Sequence, residues 1–111
     1  GGDMIPGSTF IDILPFYEKD PDTDVVIMIG EIGGSEEELA AEYIKENVSK
    51  PVIALIAGKN APKDTSMGHA GAIVSPDGEG SAESKEEKLR DAGVHIAEST
   101  EDILRIVKTL I

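Results

Sequence analysis

The stretch Asp24-Val25-Val26-Ile27-Met28-Ile29-Gly30-Glu31-Ile32-Gly33-Gly34-Ser35 decides the fold. Its first half is apolar without alternation and stops at a glycine. A strand covered on both faces reads this way, and parallel sheets are covered on both faces. The same pattern returns in Pro51-Val52-Ile53-Ala54-Leu55-Ile56-Ala57-Gly58. Two weaker strands are expected at Ala72-Ile73-Val74 and Val94-His95-Ile96-Ala97.

Helices fill the intervals. Ser35 with Glu38 three residues on reads as a capping box, and Glu36 and Glu37 suit the positive end of a helix dipole. That helix puts Ala40, Tyr43, Ile44 and Val48 on one face and stops before Pro51, because the residue preceding a proline avoids the helical region. An earlier helix is expected from Ser8 or Thr9 to about Glu18, with Phe10, Ile11, Leu14 and Tyr17 inward. Ser81 or Ser84 opens a third, which Gly93 closes. Its apolar face is thin (Ala82, Leu89 and Ala92), and the charged run from Glu83 to Asp91 reads as a solvated face. Ser99 caps the last helix, with Asp102 in the box position and Ile103, Ile106, Val107 and Leu110 facing the sheet.

This alternation predicts an α/β fold, an open parallel sheet with helices on both faces. Ligands of such sheets gather at the carboxyl ends of the strands. The loops at Gly30–Gly34 and after Gly58 leave from those ends, and Met67-Gly68-His69-Ala70-Gly71-Ala72-Ile73 lies in the second of them. Glu31 and His69 are therefore expected on one rim.

The 111 residues fit one domain, and a hydrophobic fraction of 40% with only 4% aromatics implies a core of Ile, Val, Leu and Ala. A net charge of −12 disfavours nucleic acid and anionic lipid as partners. The absence of cysteine excludes disulfides, thiolate catalysis and cysteine-based zinc sites. No apolar run approaches a membrane span, and no signal-peptide pattern opens the chain. Gly1-Gly2-Asp3 reads as the end of a strand and its turn, so a piece of a longer polypeptide is expected.

His69 is one of two histidines. A loop histidine ordinarily caps a turn or faces water. Here glycines flank it and a carboxylate, Glu31, is expected on the neighbouring loop. A carboxylate that accepts a hydrogen bond from one ring nitrogen fixes the tautomer and leaves the other nitrogen's lone pair for an electrophile. The same pair suits general acid–base chemistry, and residue types do not separate the two. Glu31 alone reads equally well as a solvated turn residue. Gly30, Gly33 and Gly34 match neither a dinucleotide fingerprint nor a Walker loop, so no cofactor site is expected in this chain. His95 reads as structural, near a sheet edge, and nothing in its spacing from His69 supports a metal site. Glu36, Glu37 and Glu38 read as helix-start charges; Ser8 and Thr9 read as helix caps.

Four segments carry a resemblance: Gly1-Gly2-Asp3-x-Ile5-Pro6-Gly7-Ser8-x-Phe10-Ile11-Asp12; Met28-Ile29-Gly30-Glu31-Ile32-Gly33-Gly34; Ala57-Gly58-x-x-Ala61-Pro62; and Met67-Gly68-His69-Ala70-Gly71-Ala72-Ile73. In order and spacing they resemble the alpha subunit of succinyl-CoA synthetase (succinate–CoA ligase), whose close relatives are malate–CoA ligase and ATP-citrate lyase. The resemblance implies residues 1–111 as a partial CoA-ligase domain, flavodoxin-like, without its first strand and helix. It implies that His69 is phosphorylated and relays a phosphoryl group between succinyl phosphate and a nucleoside diphosphate. This is the substrate-level phosphorylation of the tricarboxylic acid cycle. Glu31 would orient the ring, and Gly68 and Gly71 would give the loop mobility and close approach to phosphate.

The complete enzyme would use CoA, ATP or GTP, and Mg²⁺. It would need a beta subunit and an N-terminal CoA-binding domain, so this chain would be inactive alone. A cytoplasmic location is implied for a prokaryotic source and the mitochondrial matrix for a eukaryotic one. The family usually has a glycine and basic residues just before the histidine motif, where this chain has Lys63-Asp64-Thr65-Ser66. That departure keeps open a malate or other acyl-CoA ligase. A non-catalytic interaction module, pairing through an open sheet edge, is the alternative of a different class.

Overall fold

The computed structural model describes residues 7–58 and 81–111. The element order is α1 (Phe10–Lys19), β1 (Val26–Glu31), α2 (Glu36–Asn47), β2 (Val52–Ala57), α3 (Ala82–Asp91), β3 (His95–Ala97) and α4 (Thr100–Leu110). The described strands form one parallel sheet in the order β1-β2-β3. Val26 pairs with Val52 and Glu31 with Ala57 along the first ladder; Ile53 pairs with His95 along the second. The weak strand expected at Ala72–Val74 lies outside the described residues.

Two cores sandwich the sheet. On one face Leu14 of α1, Ala40, Ala41 and Ile44 of α2, and Ala82 and Leu89 of α3 pack against Val26, Met28, Val52, Ala54 and Ile56. On the other, Ile106 of α4 packs with Ile53 and Ala97, flanked by Leu55, Ile103 and Val107. Helices thus lie on both faces, as expected. β2 is covered on both sides, but β1 is not: Ile27 and Ile29 are 48% and 55% exposed. Among the described residues the reading of β1 as a two-sided strand is corrected, because α4 packs against β2 and β3 and not over the outer face of β1. His95 is exposed on β3, at an edge of the described sheet, in keeping with its structural reading.

Most helix ends follow local rules. Thr9 caps α1 in a reciprocal box with Asp12 at 3.1 and 2.9 Å. Ser81 accepts from the Ser84 amide, and Gly93 follows α3 with φ of 85°, a conformation that favours glycine. Ser99 accepts from the Asp102 amide, but the Asp102 carboxylate reaches back to Glu98 rather than to Ser99. Tyr17 corrects another expectation. It is 46% exposed and, with Phe10, lines a groove of about 390 Å³ between α1 and β1 instead of turning into the core.

Glu18 ties the end of α1 to the connection before β2. Its carboxylate accepts from the Ser49 hydroxyl at 2.6 Å and from the Ser49 and Lys50 amides. The Ser49 hydroxyl foremost, then these amides and the Lys50 charge, hold the Glu18 carboxyl below the usual glutamate range. A lowered folded pKa adds stability that is present above the unfolded value of about 4.3 and is lost as pH falls through the folded one. In thermal melts across pH, Glu18→Gln is expected to lower the Tm near neutrality. The difference from the unsubstituted chain should close as pH falls through the lowered Glu18 value.

Candidate functional site

The rim at the carboxyl ends of β1 and β2 is built by glycines. Gly33 and Gly34 have φ of 92° and 62°, so the chain turns from β1 into α2 through two left-handed positions. Gly30 is needed for a different reason. A Cβ there would lie 2.7 Å from Glu37 Oε2, 2.8 Å from Glu37 Cγ and 3.0 Å from the Ile56 side chain. Between these glycines Ile32 is buried, and its side chain packs on Gly58, where a Cβ would meet Ile32 Cγ1 at 3.3 Å. The two loops therefore touch.

Glu31 is the last residue of β1 and half-buried. Its backbone N–H donates to Glu37 Oε2 at 3.0 Å. The other oxygen of Glu37 accepts from Lys85 Nζ at 2.6 Å. Lys85 also donates to Glu38 Oε1 at 2.8 Å and to the Gly34 carbonyl at 3.0 Å, which uses all three ammonium protons. Both groups are out of water: the Lys85 side chain is 0% and the Glu37 side chain 3% exposed.

This corrects two expectations. Glu37 and Glu38 are not plain helix-start charges, and the run from Glu83 to Asp91 is not a uniformly solvated face, since Lys85 and Glu86 are buried. Ser35 precedes α2 without a side-chain capping bond; the Glu38 carboxylate expected to close that box is held by Lys85. The signal for Lys85 was present in the spacing. Ala82 and Leu89 are both buried on α3, and residue 85 falls on the same face between them.

His69, Gly68 and Gly71 lie outside the described residues, as do Lys63–Ser66. What the structure brings together is the turn that begins with Glu31 and two described residues on either side of 59–80. Gly58 packs against Ile32 on one side, and Lys85, in the first turns of α3, binds Gly34 and Glu37 on the other.

Gly30→Ala is expected to push Glu37 off the Glu31 amide and to destabilise the chain by about 1–3 kcal/mol, the range for overpacking. A urea midpoint unchanged from the unsubstituted chain would contradict this contact.

A profile of the CoA-ligase family matches residues 1–95, and the chain belongs to that family. It is 50% identical over 111 residues to the alpha 1 subunit of an ADP-forming succinate–CoA ligase from Archaeoglobus fulgidus, covering 100% of this chain and 38% of that subunit. It is 55% identical over 97 residues to the malate–CoA ligase alpha subunit of Methylorubrum extorquens, covering 87% and 32%. In structure it is similar to the ATP citrate lyase of Methanosaeta concilii, solved with (3S)-citryl-CoA. That match has a TM-score of 0.85 and 31% identity, over 99% of this chain and 18% of that one. The chain thus spans about a third of the length of the ligase subunits it matches.

Proposed function

We propose that this chain is the phosphohistidine-bearing part of a CoA ligase alpha subunit, with His69 as phosphoryl carrier and Glu31 as its orienting carboxylate. The observation that carries the reading is that Gly58 and Lys85, described residues on either side of 59–80, contact the Glu31–Glu37 turn.

The step balances without an added proton carrier. Glu31 accepts the N–H of one imidazole nitrogen. The lone pair of the other attacks the phosphorus of an acyl phosphate. The N–P bond forms, the P–O bond to the acyl oxygen breaks, and its electron pair leaves with the carboxylate product. The ring gains a positive charge, which Glu31 balances. In the next step an oxygen of a nucleoside diphosphate attacks the same phosphorus and the N–P pair returns to the ring. Gly68 and Gly71 permit the close approach that both transfers need.

CoA, nucleotide and Mg²⁺ would serve the whole enzyme. The buried cluster of Lys85, Glu37 and Glu38 fits none of them. Lys85 is fully buried with its three donors engaged by Glu37, Glu38 and the Gly34 carbonyl, so it has none left for a phosphate chain. No step is therefore routed through those groups on this chain. A beta subunit and the remainder of the alpha subunit complete the proposal. Succinate is the acid we favour, because the succinate–CoA ligase relative is matched over 100% of this chain and the malate–CoA ligase relative over 87%. None of the described helices is long and apolar enough to cross a membrane.

The test is a pulse and chase in the assembled enzyme. Label from the γ-phosphate of a nucleoside triphosphate should appear on the alpha subunit and leave it when succinate and CoA are added. Release by malate or citrate instead would reassign the acid; label that no acid releases would overturn the carrier role.

A further inference from the structure

We propose that Glu37 and Lys85 are positioning residues for the phosphoryl-transfer site, acting through the backbone of Glu31. This rests on the reading of Glu31 as the carboxylate that orients His69. Glu37 is the second residue of α2, yet its side chain turns away from water and back under β1. One oxygen accepts the Glu31 N–H at 3.0 Å, the other accepts Lys85 at 2.6 Å. Gly30 has room for no Cβ because Glu37 occupies that space. Glu37 thus holds the peptide between Gly30 and Glu31, the unit from which the Glu31 side chain departs. Lys85 holds Glu37 in turn, and through the Gly34 carbonyl fixes the far end of the same loop.

The arrangement is unusual for a purely stabilising one. Burying a lysine and a glutamate costs desolvation that a packed apolar pair would avoid, so a buried ion pair is weak evidence for stability. What an apolar pair cannot supply is an acceptor for the Glu31 amide and a donor for the Gly34 carbonyl. The pair also links α3, which follows segment 59–80, to the strand that presents Glu31. A change of about 1 Å in the placement of an orienting group can cost a reaction on the order of 10²-fold.

The test compares two double variants of the assembled enzyme that remove the same buried charges. In Glu37→Leu with Lys85→Met the core stays filled but the Glu31 amide has no acceptor. In Glu37→Gln with Lys85→Met a carbonyl oxygen remains to accept it. The single-turnover rate of His69 phosphorylation is the readout, with urea midpoints recorded alongside. The leucine variant is expected to phosphorylate about 10²-fold more slowly, and the glutamine variant to recover most of that loss at matched stability.

Equal rates in the two double variants, whether both slow or both normal, would overturn the proposal. A leucine variant that does not assemble is replaced by Glu37→Met with Lys85→Met, under the same criteria. If the unsubstituted enzyme takes no phosphate on His69, the carrier reading fails and this proposal with it. If it does and the two double variants agree, only the positioning role fails.

Discussion

Lys85→Met, as a single substitution, is expected to destabilise the chain by about 3–5 kcal/mol, the range for removing one partner of a buried pair. The Lys85 and Glu37 side chains are 0% and 3% exposed, so the substitution leaves a carboxylate in a dry site with no cation beside it. The Gly34 carbonyl and the Glu38 carboxylate lose their donor at the same time. Domains of this kind are stable by about 5–15 kcal/mol in total, so a large share of the fold is at stake. The urea midpoint measures it. Glu37→Leu added to Lys85→Met should restore much of the loss, because a well-packed apolar pair of similar volume is often neutral or stabilising. A Lys85→Met chain as stable as the unsubstituted one would mean that Glu37 finds water or another donor that the described structure does not contain.

His69→Asn is expected to abolish turnover in the assembled enzyme, by about 10⁴-fold or more, as loss of a nucleophile does elsewhere. Asparagine keeps a polar side chain of similar reach and can still donate to Glu31. It lacks a ring nitrogen whose lone pair can take phosphorus. Binding of CoA and nucleotide should survive, since the proposal places both outside this chain. Isothermal titration checks the binding, and formation of acyl-CoA from acid, CoA and nucleoside triphosphate checks the turnover. Lost affinity for CoA would point to misassembly rather than to a missing carrier.

Much of the fold is legible along the chain because its causes are local. Thr9 with Asp12, Ser81 and Gly93 act within one turn, and the helix ends they mark are where the spacing puts them. The apolar runs at Val26 and Val52 do form neighbouring parallel strands. What fails depends on partners distant in sequence. Ser35 and Glu38 form a plausible box until Lys85, from α3, draws Glu38 away. Gly30 looks like a turn glycine, whereas its need comes from the Glu37 side chain folding back beneath it. Ile27 and Ile29 have the apolarity of covered residues, but apolarity alone does not say which element covers them, and α4 lies over β2 and β3. Lys85 is hidden in a run of charges that reads as solvated unless its phase against Ala82 and Leu89 is followed.

The candidate site divides in the same way. Glu31 at the end of β1, beside the chain leaving β2, follows from strand order alone. The acceptor that holds its amide does not, because the contact spans two elements and a loop with two left-handed glycines. The rim therefore reads in the sequence as a pair of functional groups, and in the structure as a carboxylate with a built support.

The most direct measurement is the location of protein-bound phosphate. The assembled enzyme is incubated with nucleoside triphosphate, quenched under alkaline conditions and mapped by mass spectrometry. An acid-labile phosphate is expected on His69 and none on His69→Asn. Phosphate on another residue, or full turnover with no phosphate on the chain, would contradict it.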